Sequence, residues 1–270
     1  MYPYINIFGK QFTTYGVMAL IGGIACLIYM IIRAKQKKLN INDLLYYITL
    51  AFVFLFIGAV ILFQIIEIIT NYQTLQYLFT DIKYFTSHWS FGLVFYGGLY
   101  GALIGCAVYT KIFMQDTREI FMYISPVIPL FHIFGRIGCF LVGCCHGMVS
   151  EEFGIAYTNA IGAKNGIPYL PVQLYEATGD LIIFIILCIN QCKVKKYYQP
   201  IGIYLTMYGI LRFVLEFFRG DEIRGIFGAL STSQWISIVT IAFGIYCLVV
   251  PNEKNFLNKL YMPKINQEQN

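Results

Sequence analysis

Thirteen residues, GRIGCFLVGCCHG at 135–147, gather one arginine, three cysteines and a histidine directly after a long apolar run. The planar guanidinium of Arg136 offers a fork of donors that matches phosphate. Cys139, Cys144 and Cys145 with His146 admit four readings. They are buried small hydrophobes, a nucleophile whose thiolate a nearby cation favours, a disulfide on an oxidising face, or a zinc site. As a nucleophile, Cys139 lies one helical turn after Arg136 and Cys144 about two turns after it, on the same face if the helix persists. The spacing C-x4-C-C-H is not a common zinc pattern, so no metal or other cofactor is assigned. A second stretch, YGILRFVLEFFRGD at 208–221, spaces Tyr208, Arg212 and Glu216 four apart, with Arg219 three further on. On a helix that stacks all four on one face. A third, PVQLYEATGD at 171–180, carries Gln173, Tyr175, Glu176 and Asp180. His132, four positions before Arg136, is either a proton carrier or a hydrogen-bonded link between helices.

These groups sit in a chain that is 58% hydrophobic and 12% charged, with mean hydropathy +0.65. Soluble domains carry about 25% charged residues, so the reading is an all-α integral membrane protein. The formal charge of +5 is then no nucleic-acid signal. Seven stretches are long and apolar enough to span, at 14–32, 44–69, 90–113, 120–143, 172–192, 200–218 and 233–250. Pro126 and Pro129 predict a kink or break in the fourth. No cleavable signal peptide is expected. Of nineteen Lys and Arg, twelve fall on the side reached after odd-numbered spans and five on the other; Arg136 and Arg212 lie within spans. That asymmetry puts the N-terminus outside and the C-terminus in the cytoplasm. A transmembrane domain is expected over 1–251 and a polar, frayed cytoplasmic tail over 252–270.

A charge at the centre of a bilayer costs at least ~2.5–3.5 kcal/mol on insertion scales, so each span arginine is a functional candidate. An internal Arg212–Glu216 ion pair would account for the sixth span but leaves Arg136 unexplained. Two arginines in separate spans, both toward the outer half, suit the grip of a phospholipid head group. The glycines of FYGGLYGALIG, 95–105, form small-xxx-small pairs that read as close helix packing.

Five blocks, in order, resemble the phosphatidylglycerol–prolipoprotein diacylglyceryl transferases of bacterial membranes. FYGGLYG resembles that family's HGG segment and GRIG the start of its GRxGNF signature. PVQLYEA resembles HPSQLYEA, YGILRFVLEFFR resembles YGxxRFxxEFFR, and STSQWISI at 231–238 resembles SxGQxxS. The resemblance implies a multi-pass enzyme of the bacterial inner membrane. Such an enzyme moves the diacylglyceryl group of phosphatidylglycerol onto the signal cysteine of a prolipoprotein and releases glycerol phosphate. Carried over by position, Arg136 and Arg212 would hold the phosphate, Tyr208 and Glu216 would orient them, and Arg219 would sit by the head-group exit. Tyr96, Gly97, Gly98, Gln173, Tyr175 and Glu176 would complete the site.

The departures fall on polar positions. Cys139 stands for the signature's asparagine, Cys144 for its glutamate, Tyr96 for the histidine of HGG and Leu170 for that of HPSQLYE. Val60 stands where the second span often has an arginine. The phosphate-binding residues persist while groups that could take a proton from a thiol are replaced. Two alternatives follow. One is a paralog that uses its own cysteines on another phospholipid or acceptor. The other is a non-catalytic phospholipid-binding membrane protein.

Overall fold

The computed structural model describes residues 1–7, 9–70, 93–191, 196–220 and 226–262. The first residues of the expected third span, 90–92, the end of the fifth, Cys192, and part of the 252–270 tail lie outside these. Six helical segments are long and apolar enough to cross a membrane: Thr14–Lys37, Ile41–Ile69, Arg118–Val142, Val172–Asn190, Gln199–Phe218 and Thr232–Val249. The glycine-rich stretch expected as the third span is a helix of 19 residues, Phe95–Phe113, but is not among the six.

The chain divides into two units, 1–38 with 119–255 and 39–118 with 256–270. The first opens with a hairpin that the sequence did not announce, β1 (Tyr4–Ile7) against β2 (Lys10–Thr13). Thr13 then caps α1 (Thr14–Lys37), its hydroxyl accepting from the Gly16 amide at 3.3 Å. In the second unit, α2 (Ile41–Thr70) is largely apolar and exposes Phe52, Phe56, Ile57, Ile61 and Ile65, as a lipid-facing helix does. It packs against α3 (Phe95–Phe113) through glycines. A Cβ on Gly101 would meet the Phe54 carbonyl oxygen at 2.2 Å, and one on Gly97 the Gly58 oxygen at 2.4 Å.

The expected proline break is present. Helix α4 (Arg118–Ile124) stops at Ser125–Pro126, and α5 (Val127–Val142) begins anew with Pro126 as its cap. A break inside a bilayer needs partners for the freed carbonyls. Buried Gln191 donates to the carbonyls of Met122 and Tyr123 at 3.2 and 3.1 Å, and Ser125 Oγ donates to Phe121 O at 2.8 Å. In the same unit, α5 packs on α1 and on α6 (Val172–Asn190), α6 on α7 (Gln199–Leu215), and α7 on α8 (Thr232–Val249). Ser231 and Gln234 of the STSQ block form a reciprocal capping box at the start of α8.

Short pairings stitch the connections beside α5. Strands β3 (Ile155–Ala156) and β4 (Pro168–Tyr169) pair, Val149 bridges Tyr169, and Gly147 bridges Arg219. A last hairpin joins β5 (Ile226–Phe227) to β6 (Leu230–Ser231). Residues 252–262, read from sequence as the start of a frayed tail, are ordered. Within the second unit, α9 (Phe256–Tyr261) packs on α3, with Tyr261 buried and its hydroxyl donating to Leu103 O at 2.8 Å.

Candidate active site

Three helices bring their polar residues to one buried point, the carboxylate of Glu176. Arg136 of α5 donates to Glu176 Oε1 at 2.9 Å, and Tyr208 of α7 donates to the same oxygen at 3.0 Å. Arg212, also on α7, places Nη1 3.7 Å from Glu176 Oε2 and Nη2 2.7 Å from Glu216 Oε2. Nη2 also donates to Ser233 Oγ of α8 at 3.3 Å. The two arginines therefore converge, although 76 positions separate them. All these groups except Ser233 are buried, Glu176 at 1% exposure. Buried charges must be paired and hydrogen-bonded to be tolerated, and here each guanidinium faces a carboxylate. Arg212 Nη1 is buried without a hydrogen-bond acceptor among the described residues. An anion oxygen would complete it.

The histidine one turn before Arg136 extends the set. His132 Nε2 accepts from Arg136 Nε at 3.2 Å, which puts its proton on Nδ1, 2.9 Å from Asp180 Oδ2. Asp180 thus lies against the ring nitrogen that faces away from Arg136, and the His132 imidazole is shared between the two. Its ring also meets Tyr208 edge-on at 5.2 Å.

The thiols lie past the end of α5. Gly143, at φ +82°, ends the helix, and its amide donates to Cys139 O and Phe140 O. The Cys144 amide donates to the same Cys139 carbonyl at 3.1 Å. Cys145 takes φ +56°, a left-handed conformation that costs about 1–2 kcal/mol for a residue with a Cβ. The turn folds back on the helix, and the three Sγ atoms all lie within 4.8 Å of one another. Gln173 pins it by donating to Cys144 O at 2.6 Å and is itself held by the Tyr157 hydroxyl at 3.2 Å. No disulfide joins these cysteines, which are all free. Hydrogen bonds from the Cys139 and Cys144 thiols pull Cys145 far below the usual thiol range, with Arg136 and Arg219 adding to the shift. Cys144 is pushed up, first by its hydrogen bond with Cys139. The geometry brings Cys145 into one group with Cys139 and Cys144, the two that sequence spacing aligned with Arg136.

Within the first unit, Arg219 and Tyr175 lie off the buried cluster. The four-residue stripe on α7 loses its last member: α7 ends at Leu215, Glu216–Phe218 tightens into a 3₁₀ turn, and Arg219 is extended in the bridge to Gly147. Arg219 therefore belongs with the thiol turn rather than with the helix face. Tyr175 is exposed on α6, away from the buried face of Gln173, Glu176 and Asp180. His146 is buried and packs tilted against Tyr169 with ring centres 4.0 Å apart, its Nδ1 2.9 Å from Gly147 O. Tyr96, Gly97 and Gly98 lie in the second unit; Tyr96 is buried, and Gly97 and Gly98 face α2. The residues whose weight sequence reasoning missed are Asp180, Ser233 and the hub role of Glu176. The four-residue spacing of Glu176 and Asp180 was the available signal.

Fold and site together define a multi-pass helical membrane protein with a buried arginine–carboxylate cluster suited to holding an anion. The model of the prolipoprotein diacylglyceryl transferase family matches residues 3–250, and the chain belongs to that family. It is 31% identical over 245 residues to the phosphatidylglycerol–prolipoprotein diacylglyceryl transferase of Clostridium tetani, covering 89% of this chain and 94% of that protein. It is 32% identical to the second such transferase of Clostridium perfringens, covering 89% and 91%. The protein of that name from Francisella tularensis subsp. novicida is 28% identical over 96% of this chain and 97% of its own.

Proposed function

We propose that the protein transfers the diacylglyceryl group of phosphatidylglycerol to the signal cysteine of prolipoproteins, in the bacterial cytoplasmic membrane. The supporting observation is the meeting of Arg136 and Arg212 at Glu176, with Arg212 Nη1 still lacking an acceptor. Glu176, Tyr208 and Glu216 hold the two guanidinium groups in place. The phosphodiester of the lipid binds against them, its non-bridging oxygens taking Arg212 Nη1 and the outer donors of Arg136. Attack of a cysteine sulfur on the glyceryl carbon breaks the carbon–oxygen bond to phosphate. The departing glycerol phosphate gains charge, which fixed donors in a water-poor site stabilise strongly. Gln173 and the ordered turn at 144–147 shape the acceptor side.

The chain crosses the membrane seven times, with Phe95–Phe113 as the third span and the N-terminus outside. The segment 252–270 is then cytoplasmic, and the thiol turn lies at the outer surface, where prolipoproteins emerge. The test is purified protein in vesicles with a synthetic signal peptide. Phosphatidylglycerol with a cysteine peptide yields a thioether-linked diacylglyceryl peptide and glycerol phosphate. No product under those conditions, or equal product from a serine peptide, overturns the reading.

A further inference from the structure

Alkylating a thiol requires its thiolate, yet the acids and bases of the buried cluster are already engaged. His132 accepts from Arg136 on one nitrogen and faces Asp180 with the other. Glu176 is held by Arg136 and Tyr208, and Glu216 by Arg212. Something else must ionise the acceptor cysteine. The Sγ atoms of Cys139, Cys144 and Cys145, mutually within 4.8 Å, offer it. Tetrahedral zinc with Zn–S ~2.3 Å sets its sulfurs about 3.8 Å apart, so small side-chain rotations close the three around one ion.

We propose that Cys139, Cys144 and Cys145 form a three-thiolate zinc site whose open fourth position takes the thiol of the acceptor cysteine. The inference rests on the transferase reading above and names how that site activates its second substrate. Three protein ligands with one open position is the pattern of catalytic rather than structural zinc. His146, the neighbouring fourth-ligand type, packs against Tyr169 and is not part of the group. The backbone is built for convergence: Gly143 and Cys145 are both left-handed, and Gln173 fixes the carbonyl between them. Arg136 precedes Cys139 by one helical turn, so lipid phosphate and acceptor sulfur are presented from the same end of α5.

Zinc deprotonates a coordinating thiol outright. The acceptor cysteine would bind as thiolate and release its proton to water. Its sulfur lone pair attacks the glyceryl carbon of phosphatidylglycerol, and the carbon–oxygen pair leaves with the phosphate as glycerol phosphate. The new thioether is neutral and a weaker ligand, so the lipidated product departs and the three cysteines are unchanged. A protein cysteine acting as the nucleophile instead would end as a thioether on the enzyme, with no good leaving group to pass on.

The experiment uses the full chain purified in detergent. Zinc content should be one ion per chain, and Cys139→Ser or Cys145→Ser should lower it tenfold or more while the protein stays folded by thermal unfolding. X-ray absorption should find three sulfurs around the zinc, rising to four on adding a cysteine signal peptide but not its serine variant. Removing zinc with a chelator should abolish transfer, and added Zn2+ should restore it. Transfer by a chain that binds no zinc, or undiminished transfer by a variant with all three cysteines changed to serine, overturns the zinc site and leaves the transferase reading standing. A disulfide within the trio of active protein does the same. Zinc bound without transfer overturns the transferase reading, and with it the role given to the fourth position.

Discussion

The helix pair α2–α3 and the trio α5–α6–α7 solve the same packing problem by opposite means. In the first, glycines let backbones touch, with Gly97, Gly101 and Gly105 set against Gly58, Phe54 and Leu50. No charge is needed, and α2 keeps its apolar surface for lipid. In the second, helices meet through Arg136, Glu176, Tyr208, Arg212 and Glu216, each of which would be costly alone in a membrane. The glycine contacts of α2 and α3 hold a helix pair without any such charge. Charges in that position are therefore retained for what they bind, and the cost of desolvating them is offset only while every partner is present.

That contrast is tested first at its most demanding point. Glu176→Ala leaves Arg136 without a carboxylate and Arg212 with Glu216 alone, so stability should fall by ~3–5 kcal/mol and transfer should vanish. Thermal unfolding in detergent reads the first effect, and a stable, active variant would break the comparison. On the glycine side, Gly101→Val drives side-chain atoms into the Phe54 carbonyl and should cost about 1–3 kcal/mol by overpacking. Gly23→Ala has nothing within 4 Å and should be neutral or gain up to ~1 kcal/mol from helix propensity. Equal effects at the two glycines would show that backbone contact is not what holds α2 to α3. Tyr208→Phe removes one hydrogen bond from the shared carboxylate and should cost about 1 kcal/mol, with the arginine pairs intact.

The smallest effect on the fold, and the sharpest on chemistry, concerns the thiol turn. Cys145 is lowered and Cys144 raised, so as pH falls Cys144 stays protonated while Cys145 keeps its thiolate. In chelator-treated protein, iodoacetamide should modify Cys145 well below pH 8 and leave Cys144 behind, as peptide mapping would show. Arg136→Gln should slow that labelling. Matching pH profiles for the two would dissolve the distinction.

Much of this was legible in the sequence for identifiable reasons. The break at Pro126 follows from proline itself, and Arg212 with Glu216 follows from a four-residue helical interval. Arg136 drew attention because an arginine in a span needs a reason. What stayed hidden depends on contacts between helices. Nothing local says that Glu176 receives both arginines, 40 and 36 positions away, or that Asp180 faces His132. The thiol turn was hidden for a different reason: helical spacing aligned Cys139 and Cys144, but Gly143 ends the helix and a left-handed Cys145 completes the group. The stripe on α7 failed likewise at its end, where the 3₁₀ turn carries Arg219 out of register.

The central claim, that the arginines act on the phosphate as it departs, is tested most directly by Arg136→Gln. Glutamine is two bonds shorter and keeps an amide donor at the place of Arg136 Nε, but it removes the positive charge. The measurement is the rate of thioether formation at saturating phosphatidylglycerol in vesicles, beside thermal unfolding of the same preparation. Loss of one charge-stabilising donor costs on the order of 10²–10³ in rate, so a folded Arg136→Gln protein should be slowed by at least a hundredfold. A folded variant within a few-fold of the unchanged protein would contradict the account.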